Sequence, residues 1–131
     1  MEIILPIDDD DTLFRRIAPD FVKKDGSVST SAFKRNRVPD NEISLELEAL
    51  SSPEECSNRG KTPGFAMGRL VAFLPRSLGF DVRHDPLPNH AYPDVVNAAH
   101  CVAGGENDEM KCKQLALGTI ICLPASPRTT A

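Results

Sequence analysis

The chain has 131 residues, of which 40% are hydrophobic, 26% charged and 5% aromatic, and its formal net charge is −4. A chain of this length and hydrophobicity is expected to fold as one domain around a single core, which excludes wholesale disorder. The acidic balance makes a nucleic-acid partner unexpected, because contacts to phosphates need a basic face.

The first eleven residues combine an apolar start with an acidic run at Asp8–Asp11. A secretory signal peptide has positive charge first and a longer apolar stretch after it, so this segment is not predicted to be one. No run of residues approaches the roughly 18 apolar residues that a membrane-spanning helix needs. We therefore expect no membrane partner, a cytoplasmic location and reduced thiols at all 4 cysteines.

Elements in the first half of the chain are short. Leu13–Ile17 is expected to form one helical turn or a short strand, because Pro19 follows it closely. Residues 43–47 alternate apolar and polar side chains, which predicts a strand with one buried face. Ser52 and Pro53 then predict the N-cap and the first position of a brief helix.

The second half alternates predicted helices and strands. Phe65–Leu74 has apolar residues at helical spacing and is predicted to be a helix, and Phe80–Arg83 a strand. Val95–Val102 is apolar enough for a buried strand. Glu106–Leu117 begins with acidic and continues with basic residues, as a helix dipole favours, and Thr119–Leu123 is a β-branched run typical of a strand.

These elements interleave irregularly, which favours an α+β fold over a repeating parallel α/β plan. The expected architecture is a small mixed or antiparallel sheet with two to three helices packed on it. Residues 1–11 are expected to form an acidic N-terminal segment, residues 12–123 a single globular domain and residues 124–131 a flexible tail.

Basic and acidic side chains are separated along the first half of the chain. Residues 12–37 contain seven basic residues and two acidic ones, and residues 38–58 contain six acidic residues and no basic one. Such segments form either two solvated faces that partly neutralise each other or a basic patch for an acidic partner or phosphate. The candidate partner-binding residues are Arg15, Arg16, Lys34, Arg35 and Arg37.

The segment Asn97–Cys101 resembles the sequence around the catalytic histidine of chymotrypsin-like serine proteases, with Asn97 where those proteins have Ser or Thr. Those enzymes also need a serine in a Gly-Asp-Ser-Gly setting, which this chain lacks, and two β-barrels, which 131 residues cannot build. We therefore expect a buried strand that carries His100.

The tripeptide Gly60-Lys61-Thr62 resembles the end of a phosphate-binding P-loop. The first glycine of that motif would fall at Glu55, where a carboxylate would repel phosphate. A polar turn is the expected structure.

Potential metal ligands cluster on one predicted loop. His84 and His90 could meet across a proline-rich turn, with Asp85 or Asp94 as a third ligand. The cysteines form no Cys-x-x-Cys pair and are expected to be small core residues. His84, Asp85 and His90 are therefore an alternative metal site, while no cofactor is predicted.

Arg16, the run Ser29–Ser31 and the Glu46-Leu47-Glu48 triplet occur in the order of the Arg, Ser-Thr-Ser and Glu-x-Glu elements of one ADP-ribosyltransferase class. That resemblance implies that Arg16 would hold the phosphates of NAD, Ser29 would support the site and Glu48 would stabilise the reacting ribose. The intervals in this chain are shorter than in that family.

A looser similarity links the chain to short uncharacterised bacterial proteins. It rests on Leu13–Ile17, Asp25-Gly26 and Ser31–Lys34 in the first part and on Leu78–Val82 and Asp85–Asn89 in the middle. That group has no activity that could be carried over. Within the first part, either Arg15 or Arg16 faces a semi-buried anion, or one of them pairs with a nearby acid such as Asp25 or Glu46.

The expected function is a non-catalytic binding or regulatory module that acts with another protein through the basic residues or the loop at residues 84–90. The alternative is a small enzyme that acts on a nucleotide or phosphate substrate, with Arg16, Ser29 and Glu48 as its site. The sequence leaves the oligomeric state open.

Overall fold

The structure, a computed structural model, describes residues 4–34, 42–58, 64–88 and 96–125. The expected tail at residues 124–131 is described only as far as Ala125. Within these ranges the strands are β1 (Thr12–Ile17), β2 (Glu42–Leu47), β3 (Ala66–Val71), β4 (Asp81–His84), β5 (Leu87–Pro88), β6 (Val96–Asn97), β7 (His100–Gly104) and β8 (Ile120–Leu123). The α-helices are α1 (Pro53–Ser57), α2 (Phe73–Ser77) and α3 (Glu109–Leu117), and 3₁₀ helices span Pro19–Phe21, Thr30–Phe33 and Glu48–Leu50.

Six of these strands form one antiparallel sheet in the order β4-β7-β2-β1-β3-β8, and β5 and β6 pair separately. The antiparallel sheet with three helices confirms the expected α+β architecture. None of the helices in the described ranges has the length and apolar character needed to cross a bilayer.

The two faces of the sheet are covered differently. One face, here called the core face, packs against α3 and the 3₁₀ helix Thr30–Phe33 around the fully buried Phe33. On the other face, here called the second face, Cys56 of α1 packs on Phe14 and Met67. Towards β2, β7 and β4 the second face also carries polar side chains, which form the candidate site described below.

Several predicted elements are confirmed. β2 buries its apolar side chains, as the alternation in residues 43–47 indicates. Ser52 caps α1 with a capping box to Glu55, and Pro53 occupies the first helical position. β4, α3 and β8 lie within one to three residues of their expected bounds.

The predicted helix at Phe65–Leu74 is wrong, because residues 66–71 form β3 and pair with β1 along its whole length. Both faces of β3 have buried positions: Leu70 lies in the main core and Met67 lies under α1. Apolar residues on both faces of a strand leave no clean alternation, so their spacing resembled that of a helix.

The predicted single strand at Val95–Val102 is also wrong over its described residues, 96–102. The chain turns at Ala98-Ala99, which separates β6 from β7. The turn is held because the Asn97 side chain accepts a hydrogen bond from the Ala99 amide and the Ala99 carbonyl accepts one from the Leu47 amide.

Candidate functional site

Arg15 and Arg16 are adjacent in β1 and therefore point to opposite faces of the sheet. The Arg15 guanidinium donates two hydrogen bonds to the Ala32 carbonyl, at 3.2 and 3.0 Å, and one to the Ser44 carbonyl, at 2.8 Å. It also lies over the Phe33 ring, 5.7 Å from the centroid. Arg15 thus connects β1 to the neighbouring elements.

Arg16 lies on the second face, with its guanidinium 4.5 Å from the centroid of the Phe65 ring. Burial lowers the pKa of this guanidinium from its ordinary value, and the nearby Glu46 carboxylate opposes that shift. The side chain of Glu46 is only 6% exposed. Arg16 therefore lies beside Glu46, which is one of the two acids that the sequence indicated as possible partners of an arginine.

The remaining members of the expected basic patch do not extend it in the described residues. Lys34 is exposed and its Nζ lies 3.9 Å from a carboxylate oxygen of Glu109. Arg35 and Arg37 lie outside the described residues. Arg15 and Arg16 therefore lie on opposite faces of the sheet, and Lys34 follows the 3₁₀ helix whose Ala32 carbonyl Arg15 contacts.

The three residues of the ADP-ribosyltransferase hypothesis do not all lie on one face of the sheet. Ser29 caps the 3₁₀ helix Thr30–Phe33, which packs on the core face, whereas Arg16 points to the second face. Glu48 is exposed and begins the 3₁₀ helix that follows β2. The described geometry does not form one cleft from Arg16, Ser29 and Glu48.

His84 of the alternative metal site is buried and has both ring nitrogens in hydrogen bonds. Nδ1 accepts from the Leu5 amide at 2.9 Å, and Nε2 faces the Ala98 carbonyl, to which it must donate. A metal ion would have to displace one of these bonds. Asp85 is partly exposed, and His90 lies outside the described residues.

One group of three acids in the described residues could present oxygens to a single cation. Asp8, Asp10 and Asp11 place ligand atoms within 4.8 Å of one another in the turn before β1. The Asp11 carboxylate accepts a hydrogen bond from the Asp8 amide. Hydrogen bonding within the turn explains this cluster without an ion.

The polar side chains of the second face meet at His100 on β7. Its Nε2 lies 3.2 Å from the Ser44 hydroxyl on β2, and its Nδ1 lies 2.7 Å from the Asp85 carbonyl oxygen. The Asp85 carboxylate is 3.9 Å from the same Nδ1. His100 is 7% exposed, whereas Ser44 is exposed. An accessible hydroxyl therefore lies against an enclosed imidazole.

Glu46 lies directly opposite His100 in the β2–β7 pairing. Asn97 donates a hydrogen bond of 2.9 Å to one of its carboxylate oxygens. This contact fixes a buried carboxylate next to the imidazole. The sequence indicated Glu46 as a possible partner of an arginine and as part of the Glu-x-Glu triplet, but not as a neighbour of His100.

The pairing of Ser44 with His100 was missed because the two residues are 56 positions apart in the chain. The alternation in residues 43–47 predicts that Ser44 is on the exposed face of its strand. The segment Asn97–Cys101 predicts that His100 is in a strand. Which two strands become neighbours is set by the fold and not by either segment.

A second feature is a group of exposed apolar side chains, here called the apolar end. It lies where the start of α2, the end of α3 and the edge strand β8 converge, and Gly118 there packs against Leu74 so closely that an added Cβ would overlap it. The members of the apolar end are Val71, Phe73, Leu117 and Ile120, which are 44%, 57%, 71% and 63% exposed.

Comparison of the chain with protein-family models, with curated proteins and with solved structures gave no match.

Proposed function

We propose that the protein is a binding or regulatory module that acts with another protein, and that the apolar end is its contact surface. The observation that carries this proposal is the exposure of four large apolar side chains on β3, α2, α3 and the edge strand β8. Large apolar side chains that are exposed in one region of a domain can mark an interaction site.

The position of strand β8 at the edge of the sheet favours a partner that binds as an extended segment. It is the last strand of the described sheet, so its outer side has backbone groups that no other described strand pairs. An extended peptide can add to such an edge through main-chain hydrogen bonds, while its side chains contact neighbouring apolar residues. Ile120 lies in this strand, and Leu117 immediately precedes the turn that leads into it.

The partner is therefore an extended apolar segment of another protein that pairs with β8. Arg15 and Arg16 are not needed for this contact, because Arg15 holds the fold together and Arg16 lies beside Glu46. A binding site built from the sheet edge also requires no cofactor.

The test is native mass spectrometry of the protein gently purified from its own cells, with Ile120→Lys as the disrupting variant. Ile4→Lys is the matched control, since Ile4 is 60% exposed and the neighbouring Leu5 contacts β4, at the opposite edge of the sheet. We expect the wild type and Ile4→Lys to carry a stoichiometric protein partner and Ile120→Lys to lose it.

Hydrogen exchange of the purified complex distinguishes strand addition from other contacts. Amide exchange in residues 119–123 should slow on binding, because backbone groups at the sheet edge become hydrogen-bonded. A partner that binds Ile120→Lys as well as wild type, a bare chain, or a second copy of the same chain at β8 would each contradict the proposal.

A further inference from the structure

The Ser44–His100 pair has the geometry of a nucleophile and its base. The hydroxyl oxygen and Nε2 are 3.2 Å apart, which is within hydrogen-bond reach. Ser44 is exposed and can meet a substrate, and His100 is largely enclosed by the protein. This pair lies on β2 and β7, away from the edge strand β8, so the inference is independent of partner binding at the apolar end.

The hydrogen bond at the other ring nitrogen fixes the tautomer of His100. Nδ1 lies 2.7 Å from the Asp85 carbonyl oxygen, which can only accept a hydrogen bond. The proton of the neutral ring is therefore on Nδ1, and Nε2 presents its lone pair to the Ser44 hydroxyl. This is the protonation state in which the imidazole can remove the hydroxyl proton.

The backbone holds this imidazole in place. The Asp85 amide donates a hydrogen bond of 2.9 Å to the His100 carbonyl, so the carbonyl and the amide of Asp85 both contact His100. The Asp85 carboxylate, 3.9 Å from Nδ1, would favour the imidazolium that forms after proton transfer. A third group that orients the base completes the arrangement typical of an activated serine.

We propose that Ser44 is a nucleophile activated by His100 and that it accepts the acyl group of small esters. Ser44 Oγ bonds to the carbonyl carbon while its proton passes to Nε2 of His100. The bond from that carbon to the alcohol oxygen then breaks, and the proton on Nε2 passes to the departing alcohol. A water molecule then attacks the carbonyl carbon of the acyl-serine and gives its proton to Nε2 of His100. The bond from that carbon to Ser44 Oγ breaks, the acid leaves, and the proton on Nε2 returns to Ser44 Oγ.

Charge on the second face selects the class of ester. Arg83 is already paired, with guanidinium nitrogens 2.6 Å from Glu42 and 3.4 Å from Asp81. Among the described residues of the six-stranded sheet and the residue after β4, carboxylates on this face outnumber guanidinium groups. The carboxylates are Glu42, Glu46, Asp81 and Asp85, and the guanidinium groups are Arg16, Arg69 and Arg83. We therefore infer a neutral or cationic ester, because an anionic one would be repelled.

The experiment measures covalent labelling of Ser44 in the whole chain. A neutral fluorophosphonate bonds to an activated serine with loss of fluoride, and intact-mass measurement with peptide mapping locates the label. We expect one label per chain at Ser44 and none at that position in Ser44→Ala, an exposed change that should leave the fold intact. His100→Gln should slow labelling by about 100-fold, the lower range for loss of a general base.

Matched controls separate activation from simple exposure. Ser77 is exposed, but its hydroxyl donates to the Leu74 carbonyl and not to a histidine, so Ser77→Ala should be labelled like wild type. Because His100 is enclosed by the protein, circular dichroism must show that the His100→Gln variant is folded. The comparison of wild type with Ser44→Ala does not depend on the His100→Gln variant. Label at other serines, or equal labelling rates in wild type and folded His100→Gln, would overturn the proposal.

Ester turnover tests the substrate class with the same variants. Neutral p-nitrophenyl acetate should release p-nitrophenolate faster with wild type than with Ser44→Ala, and a p-nitrophenyl ester with a carboxylate in its acyl group should react at least tenfold more slowly. Equal rates for the two esters would overturn the charge selection. Equal rates for wild type and Ser44→Ala would overturn acyl transfer by Ser44.

Discussion

At the scale of single residues, Gly68 shows how closely β3 approaches its neighbours. An added Cβ would overlap the methyl group of Thr119 and come within 2.7 Å of Ile17 Cδ1. Neither neighbour can move easily, because both are buried and the Thr119 hydroxyl donates a hydrogen bond of 2.7 Å to the Leu115 carbonyl. Glycine is needed here for space, as an isolated glycine inside a strand often indicates.

We predict that Gly68→Ala lowers the free energy of unfolding by about 1–3 kcal/mol, the usual cost of overpacking a core. Thr119→Ser removes the overlapping methyl group and keeps the hydroxyl, so the double variant should recover part of this loss. Urea-induced unfolding followed by circular dichroism measures both effects.

Gly118→Ala is the control for Gly68→Ala. Its added Cβ would meet the Leu74 side chain, which is only partly buried and can rotate away. The Gly118→Ala substitution should therefore lower the free energy of unfolding by less than Gly68→Ala does. A larger loss for Gly118→Ala, or no recovery in the double variant, would show that steric overlap with Thr119 does not explain Gly68.

At the scale of elements, the sequence predicted those whose surroundings are simple. β2 has one apolar face, and α1 carries its own start signals at Ser52 and Pro53, so local rules were sufficient. The pattern in β3 predicts a helix because the strand has apolar residues on both sides. One side packs on the main core and the other packs under α1. Burial from both sides is a tertiary effect, and no local pattern in residues 65–74 reports it.

Arg15 joins three elements, and its contribution can be measured. We predict that Arg15→Met lowers the free energy of unfolding by about 1.5–3 kcal/mol, as expected for hydrogen bonds from a charged group. Met keeps much of the apolar stem but leaves the Ala32 and Ser44 carbonyls without this donor. Thermal or urea unfolding gives the value.

Arg15→Lys distinguishes geometry from charge. A lysine ammonium cannot reproduce the planar guanidinium that reaches both carbonyls, so this variant should also be destabilised despite its charge. Lys24→Met, at an exposed position, is the control and should change stability by less than about 0.5 kcal/mol. Wild-type stability of Arg15→Met would contradict a structural role for Arg15.

At the scale of the whole molecule, the basic and acidic segments of the sequence are mixed in space wherever the structure describes them. The alternation of β1 sends Arg15 and Arg16 to opposite faces, and acids of the next segment join Arg16 and Arg83 on the second face. Ser44 and His100 meet for the same reason, because strands distant in sequence become neighbours. The sequence thus predicted the fold class, while the candidate site depended on strand order.

The buried thiol of Cys101 makes the free energy of unfolding depend on pH. Burial raises the pKa of the Cys101 thiol from its ordinary value of 9.0 to about 12, and the nearby Glu46 carboxylate adds to the shift. A group whose pKa is higher in the folded chain stabilises the fold fully below its unfolded pKa. That stabilisation is lost as pH rises from about 9 towards 12, because the unfolded chain then releases a proton that the folded chain retains.

We predict that the free energy of unfolding falls less steeply between pH 9 and 11 in Cys101→Ala than in wild type. The slopes should differ by up to about 1.4 kcal/mol per pH unit, the limit for one proton. Cys122→Ala is the control: this thiol is exposed, and its pKa is also raised, so a smaller difference is expected. Urea unfolding under reducing conditions measures the slopes, and parallel curves for Cys101→Ala and wild type would show that Cys101 ionises equally in the folded and unfolded chains.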